Sequence, residues 1–267
     1  MEILFSHYLK LLYNNTMIKR ENQIPQKFSG KKRSDRRAGF LPGLSVFVLF
    51  LFPVAGILSA ATVDGQIFSG MKLSKSLDQW RFTGEYQIRL NENLGALDNH
   101  YLEFTSPYMP TKHWEIVPDF RVSMYPSRFE FRPGMGVLYK LSWGKKIYIS
   151  QLIQQVKWQT DFESTGVVKH GLRYAVFYNQ VLSKRLMFTS GIGALYRWSD
   201  AYTNLQFIRM IAGLVYIFDS THSLTFTPYL GMEDPLGNLE FTPGIVLVAS
   251  IQLKGDSKYL PARYISF

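Results

Sequence analysis

Polar and apolar residues alternate along most of the chain. In the segment RFTGEYQIRL, residues 81–90, the odd positions are polar and include Arg81, Glu85 and Arg89, whereas the even positions are mostly apolar. Alternation with a period of two is typical of a β-strand whose two faces meet different surroundings. The segment therefore predicts a strand with one ionic face and one apolar face.

Similar runs follow, and no helical period of 3.6 residues persists after Thr62. Clusters of turn-forming residues separate the runs, at a spacing of about 15–20 residues for each strand with its turn. A soluble sandwich has shorter spacing, whereas strands of about ten residues suit a tilted membrane crossing. The turn clusters are YPSR (125–128), SWGKK (142–146), LSKR (182–185), FDSTH (218–222), EDPLGN (233–238) and KGDSK (254–258).

The distribution of aromatic residues and glycines favours a membrane barrel over a soluble sandwich. In such a barrel the apolar face meets lipid and the polar face lines the interior. Glycines on the polar face leave room in a narrow lumen. Those glycines are Gly134, Gly136, Gly191, Gly193 and Gly244. Aromatic residues expected in two interfacial girdles are Trp80, Tyr101, Trp114, Tyr125, Trp143, Tyr148, Trp158, Tyr196, Trp198, Tyr216 and Tyr229.

The predicted fold class is an all-β, antiparallel up-and-down transmembrane β-barrel of about 10–12 strands. Bacterial barrels have an even number of strands, so ten and twelve are both open and twelve is favoured. The count depends on two additional segments, 66–73 and 100–108, and on a weak last strand at 258–267.

The N-terminal region has the order of a cleavable secretory signal peptide. A basic stretch, 31–37, precedes an uncharged, mostly apolar stretch, 40–58, and small residues follow it. Cleavage is expected near Ala61 and Thr62, which divides the chain into an N-terminal extension with signal peptide, 1–61, and a barrel, 62–267. The alternative is a single membrane anchor, and the start codon is either Met1 or Met17. The predicted location is the bacterial outer membrane.

The net charge of +10 is concentrated in the leader. Residues 1–61 contain nine Lys and Arg against three acidic residues, and the remaining 206 residues contain 21 basic and 17 acidic ones. A nearly balanced body does not support binding of nucleic acid. The chain has no cysteine, which removes disulfides, thiolate metal sites and a cysteine nucleophile. No cofactor is predicted.

Candidate catalytic residues are few. His222 adjoins Ser223, but neighbouring residues of a strand point to opposite faces. Asp219 could pair with His222 across a turn, and the acidic pair Glu233 and Asp234 fits a polar loop. No His, Asp or Glu cluster has metal-ligand spacing. We therefore predict that the protein is not an enzyme, with an outer-membrane acyl hydrolase as the remaining lipid-modifying alternative.

The charged face predicts an ionic lumen. Buried charges must pair or be hydrated, so this lumen is either a structural Arg–Glu network or a narrow channel for small anionic solutes or acidic oligosaccharides. The predicted lumen-lining residues are Arg81, Glu85, Arg89, Arg121, Glu130, Arg132, Lys140, Arg173, Arg197, Arg209, Glu233 and Glu240.

The segments WRFTGEYQIRLN, RPGMGVLYK, GLRYAVFYNQ and SGIGALYRW resemble an uncharacterised bacterial family of outer-membrane β-barrels, a domain of unknown function with a porin-like format. The resemblance implies a barrel and carries no activity or site residues. The chain ends in Phe267, which is similar to the last residue of outer-membrane proteins. This similarity implies the barrel-assembly machinery as a partner, and the predicted barrel itself implies the outer-membrane lipid.

Overall fold

A computed structural model describes residues 62–145, 148–200 and 203–264. The predicted signal peptide, the alternative anchor and the cleavage site at Ala61 lie outside these ranges, as does Phe267. Within them, no helix is long and apolar enough to cross a membrane. The strands are β1 (Thr62–Val63), β2 (Gln66–Leu77), β3 (Trp80–Asn91), β4 (Ala96–Thr105), β5 (Trp114–Met124), β6 (Phe129–Lys145), β7 (Tyr148–Glu163), β8 (Val168–Ser183), β9 (Leu186–Trp198), β10 (Thr203–Ile217), β11 (His222–Glu233) and β12 (Glu240–Leu253).

These strands form one closed β-barrel. From β2 to β12 each strand pairs antiparallel with the next, and β12 returns to pair with β2 in parallel, from Gly244 opposite Gln66 to Leu253 opposite Lys75. The short β1 continues beside β12 in the same parallel sense. The all-β barrel class predicted from the pattern is confirmed.

The barrel wall has eleven strands, β2 to β12, so neither even count is right. The segment 100–108 belongs largely to β4, and 66–73 lies within β2. Residues 258–264 do not join the sheet, so the weak last strand predicted there is wrong over this range. An odd number of alternating strands leaves the first and last running in the same direction, which accounts for the parallel closure.

Side chains alternate between the lumen and the outer surface. In β3, Glu85 and Gln87 are 6% and 1% exposed, whereas Tyr86 between them is 38% exposed. The same alternation runs through β7, where Lys157 is buried and Trp158 is 47% exposed. The polar face therefore turns inward and the apolar face turns outward, which inverts the arrangement of a soluble sandwich.

Two aromatic clusters mark the outer surface near the two ends of the barrel. We call the end where β2 begins the N end and the end where β12 finishes the C end. Near the C end Trp114 packs on Tyr139, with ring centroids 4.8 Å apart. Near the N end Trp158 packs on Trp198 at 5.0 Å.

The separation of two outward tryptophans on neighbouring strands follows from the strand register. Trp143, near the C end, lies opposite Ser150 of β7, and Trp158 is eight residues further along that strand. At about 3.3 Å per residue this is about 26 Å along the strand. Two predicted girdle residues, Tyr101 and Tyr229, are instead 0% and 6% exposed within the lumen.

The lumen contains an apolar cluster as well as charges. Phe177, Leu138 and Ile153 are fully buried there. Wall side chains just fill a barrel of eight strands, and a barrel of eleven strands is wider, so large apolar side chains are needed to occupy its interior. The C-terminal segment contributes Ala262 and Tyr264 to this cluster. The C-terminal segment therefore fills part of the lumen.

Candidate functional site

The predicted lumen residues lie on the inward face. Twelve charged residues were predicted for the lumen, and Glu233 is described separately. Of the other eleven, eight are at most 9% exposed: Glu85, Arg121, Glu130, Arg132, Lys140, Arg173, Arg197 and Arg209. Arg81, Arg89 and Glu240 are half-buried. Glu240 lies opposite Glu233 in the pairing of β11 with β12, so these two share the inward face.

A charge-assisted pair joins β4 and β5 in the lumen. Glu103 and Arg121 are direct register partners, and Arg121 donates from Nε to Glu103 Oε2 at 2.7 Å and from Nη2 to the same oxygen. The guanidinium also lies 3.8 Å from the ring centroid of Tyr101. The buried Arg121 guanidinium therefore contacts both a carboxylate and an aromatic ring. These contacts offset the loss of its hydration.

A second pair spans three strands. Lys157 Nζ of β7 lies 2.7 Å from Asp119 Oδ1 of β5, and the intervening strand β6 has Gly134 at the crossing. A Cβ at Gly134 would lie 2.8 Å from both Asp119 oxygens and 3.0 Å from Lys157 Cε. A side chain at this position would therefore have to displace the Asp119 carboxylate or the end of the Lys157 side chain, and no unusual backbone angle is involved.

Ion pairs also occupy the N-end half of the lumen. Arg197 Nη2 lies 2.5 Å from Asp161 Oδ2, and Arg132 Nε lies 3.8 Å from the other oxygen of the same carboxylate. Arg209 Nη2 donates to Glu233 Oε1 at 2.7 Å. The sequence pattern allowed Glu233 either in a polar loop or in the lumen. In the structure it lies in the lumen.

Three predicted lumen arginines, Arg81, Arg89 and Arg173, have no carboxylate oxygen within 4.0 Å among the described residues. Arg89 donates to Gln87 Oε1 at 3.1 Å and lies 4.4 Å from the Phe68 ring centroid. Arg173 is 4% exposed, and its guanidinium lies 5.7 Å from the Phe207 ring centroid. Glu130 and Glu240 likewise have no basic partner within 4.0 Å among the described residues, so unpaired arginines outnumber unpaired carboxylates in the predicted lumen set by three to two.

The C-terminal segment 254–264, which we call the tail, enters the lumen from the C end. Lys140 Nζ donates to the Leu260 carbonyl at 2.7 Å and pairs with Glu115 Oε1 at 2.5 Å. Glu115 also accepts the Ala262 N–H at 2.6 Å. One buried ion pair of the wall therefore binds a carbonyl and an amide of the tail.

The end of the tail lies deeper. Asn179 Nδ2 donates to the Arg263 carbonyl at 2.8 Å, and the Tyr264 ring lies 6.1 Å from that of Phe177. Burial raises the pKa of the Tyr264 phenol, and the carboxylate of Glu115 acts in the same direction. A neutral phenol is therefore favoured while the tail is docked.

Several lumen residues were missed in the sequence, although some had a signal. Glu115 and Asp119 alternate with the apolar positions of β5, so the sequence pattern already placed both side chains on the polar face. Lys72, Glu103, Lys157 and Asp161 lie on strands whose phase was not assigned. The docking of the tail has no local signal, because its partners are 84 to 147 residues away in the sequence.

The candidate catalytic residues do not converge on one site. His222 is exposed on the outer side, whereas Ser223 lines the lumen. His222 Nδ1 lies 2.9 Å from Asp219 Oδ2, and hydrogen bonds from the Thr221 and His222 backbone lower the pKa of Asp219. Asp219 therefore orders the turn between β10 and β11. No group of three or more His, Asp or Glu among the described residues could hold a metal ion.

Comparisons with known proteins give no match: no family model matches the chain, and no curated protein matches it either. The resemblance to an uncharacterised outer-membrane family stays a prediction. Functional conclusions therefore depend on the barrel itself, with its apolar exterior, its charged lumen and its inserted tail.

Proposed function

We propose that this protein is an integral outer-membrane β-barrel with a structural role, whose lumen is closed by its own ion pairs and tail. The observation that carries this proposal is the inverted distribution of side chains. Residues such as Met71, Leu102 and Met135 are at least 50% exposed on the outer surface, whereas lysines, arginines and glutamates are buried inside. Soluble proteins rarely expose so continuous an apolar surface.

The spacing of outward aromatic residues is close to that of a lipid-facing barrel. An apolar band of about 25 Å between two aromatic girdles is typical of outer-membrane barrels. Trp143 and Trp158 lie towards opposite ends of neighbouring strands, about 26 Å apart along the strand, which a strand tilt of about 40° reduces to a height of about 20 Å. The signal peptide expected in residues 1–61 supplies the export route that this location requires.

Fractionation and heat-modifiable gel mobility test the proposed location. Expressed with its leader, the protein is expected in the outer-membrane fraction, and unboiled samples are expected to migrate differently from boiled ones. Recovery as a folded protein in the aqueous fraction without detergent would refute the proposal.

A narrow anion channel is the second candidate function, and the unpaired Arg89 and Arg173 favour it. In planar bilayers the closed barrel predicts no ohmic steps for the wild type. Steps with anion selectivity in the wild type would favour the channel. Because the tail is held largely by Glu115 and Lys140, steps that appear only in a Glu115→Gln variant would indicate a channel blocked by the tail.

A further inference from the structure

A chamber lies at the C end of the lumen, between the barrel wall and the tail. Its volume is about 120 Å³, and eight of its lining side chains are Ser or Thr, among them Ser74, Thr83 and Ser250. The tail contributes Arg263 and Tyr264 to the lining. Since a water molecule needs about 10–15 Å³ on this measure, the chamber has room for several waters or for one small polyatomic ion.

The negative charges of this chamber are already neutralised. Its two carboxylates are Glu85, which pairs with Lys72 at 2.9 Å, and Glu115, which pairs with Lys140 at 2.5 Å. Arg81 and Arg263 remain, and neither has a carboxylate oxygen within 4.0 Å among the described residues. The chamber therefore has an excess of two positive charges.

Arg81 has spare hydrogen-bonding capacity. Its Nη2 contacts Ser74 Oγ at 3.2 Å and Gln252 Oε1 at 3.5 Å, both neutral oxygens at long distances. Its Nε is shielded from solvent and has no hydrogen-bond partner. A guanidinium has five N–H donors, and a shielded donor without a partner is costly, so the site lacks an acceptor.

We propose that this chamber binds a small tetrahedral oxyanion of the phosphate or sulfate type between Arg81 and Arg263. The planar guanidinium matches two oxygens of such an ion at once, and two arginines balance its double charge. The surrounding hydroxyl groups can donate to the remaining oxygens. Because the tail supplies one of the two arginines, the bound ion also links the tail to the wall.

The test is calorimetric titration of the full chain in detergent with sodium phosphate, at constant ionic strength maintained with sodium chloride. One saturable site is expected. Arg81→Gln and Arg263→Gln should each weaken phosphate binding by about tenfold or more, because each removes a charge-assisted hydrogen bond to the ion. Arg81→Lys keeps the charge but loses the planar fork, and an intermediate affinity is expected.

Arg128→Gln is the matched control, because Arg128 lies at the N end beside Glu163. It should leave phosphate affinity unchanged, and heat-modifiable mobility verifies that every variant folds. No saturable binding of phosphate or sulfate, equal weakening by Arg128→Gln, or binding of succinate without phosphate would each overturn the proposal. The titration is made in detergent, so its result is independent of where the barrel resides in the cell and of whether it conducts.

Discussion

Lys157 of β7 reaches Asp119 of β5 across the backbone of Gly134, with Nζ and Oδ1 2.7 Å apart. An ion pair between strands that are not neighbours fixes three strands of the wall at once. It also explains why the strand between them lacks a side chain at the crossing. The lumen is therefore part of what holds the barrel together, and changes inside it should alter stability.

Gly134→Ala should destabilise the barrel by about 1–3 kcal/mol, because the new methyl group would displace the buried Asp119 carboxylate. Gly136→Ala is the control: its Cβ would have no neighbour closer than 3.6 Å, which is ordinary contact. Urea unfolding of both variants in lipid vesicles measures the difference. Equal stability of the two variants would mean that the crossing is not close-packed.

Glu115→Gln should loosen the tail. The amide can still accept the Ala262 N–H, but Lys140 loses its charged partner and the site loses about 1.5–3 kcal/mol. Trypsin should then cleave after the exposed Lys258 about tenfold faster, or more, as followed by mass spectrometry. Glu240→Gln, at the N end of the same lumen, should leave the cleavage rate unchanged. Cleavage of the wild type at the variant's rate would contradict tail docking.

Docking of the tail should depend on pH through Tyr264. Its phenol has a raised pKa when docked and an ordinary one, about 10, when released. Docking is therefore at full strength below about pH 10 and weakens as the pH rises above it. Because the chain has no cysteine, a nitroxide on Lys258→Cys reports the tail alone. Its mobility should rise above about pH 10 and rise less in a Tyr264→Phe background. The same rise in both backgrounds would assign the effect to another group.

Val137→Arg tests the environment of the outer surface. Val137 is 42% exposed near the middle of β6, where a lipid-facing arginine costs about 2–4 kcal/mol. At an exposed site in water the same change would cost at most about 0.5 kcal/mol. Leu236→Arg, in a turn residue 77% exposed, is the matched control and should be neutral. Urea unfolding in vesicles measures both, and two neutral results would place the outer surface in water.

The side chains of a strand that face the lumen could be predicted wherever charged residues alternate with large apolar ones, as in β3 around Glu85. Strand number could not, because the segment that forms β4 has a weaker pattern and closure of the barrel is a property of all strands together. Tyr101 and Tyr229 were misplaced because an aromatic side chain suits both an interface and a filled lumen. The tail was missed because its contacts with Lys140 and Glu115 join residues 120 and 147 positions apart in the sequence.

Fluorescence quenching by lipids brominated on their acyl chains tests the central claim most directly. The five tryptophans, Trp80, Trp114, Trp143, Trp158 and Trp198, all lie on the outer surface, and four of them are 43–50% exposed. In vesicles of brominated lipid their emission should fall strongly, while aqueous iodide should have little effect. Strong quenching by iodide, with no change on bromination, would mean that water surrounds the apolar face and that the proposed membrane barrel is wrong.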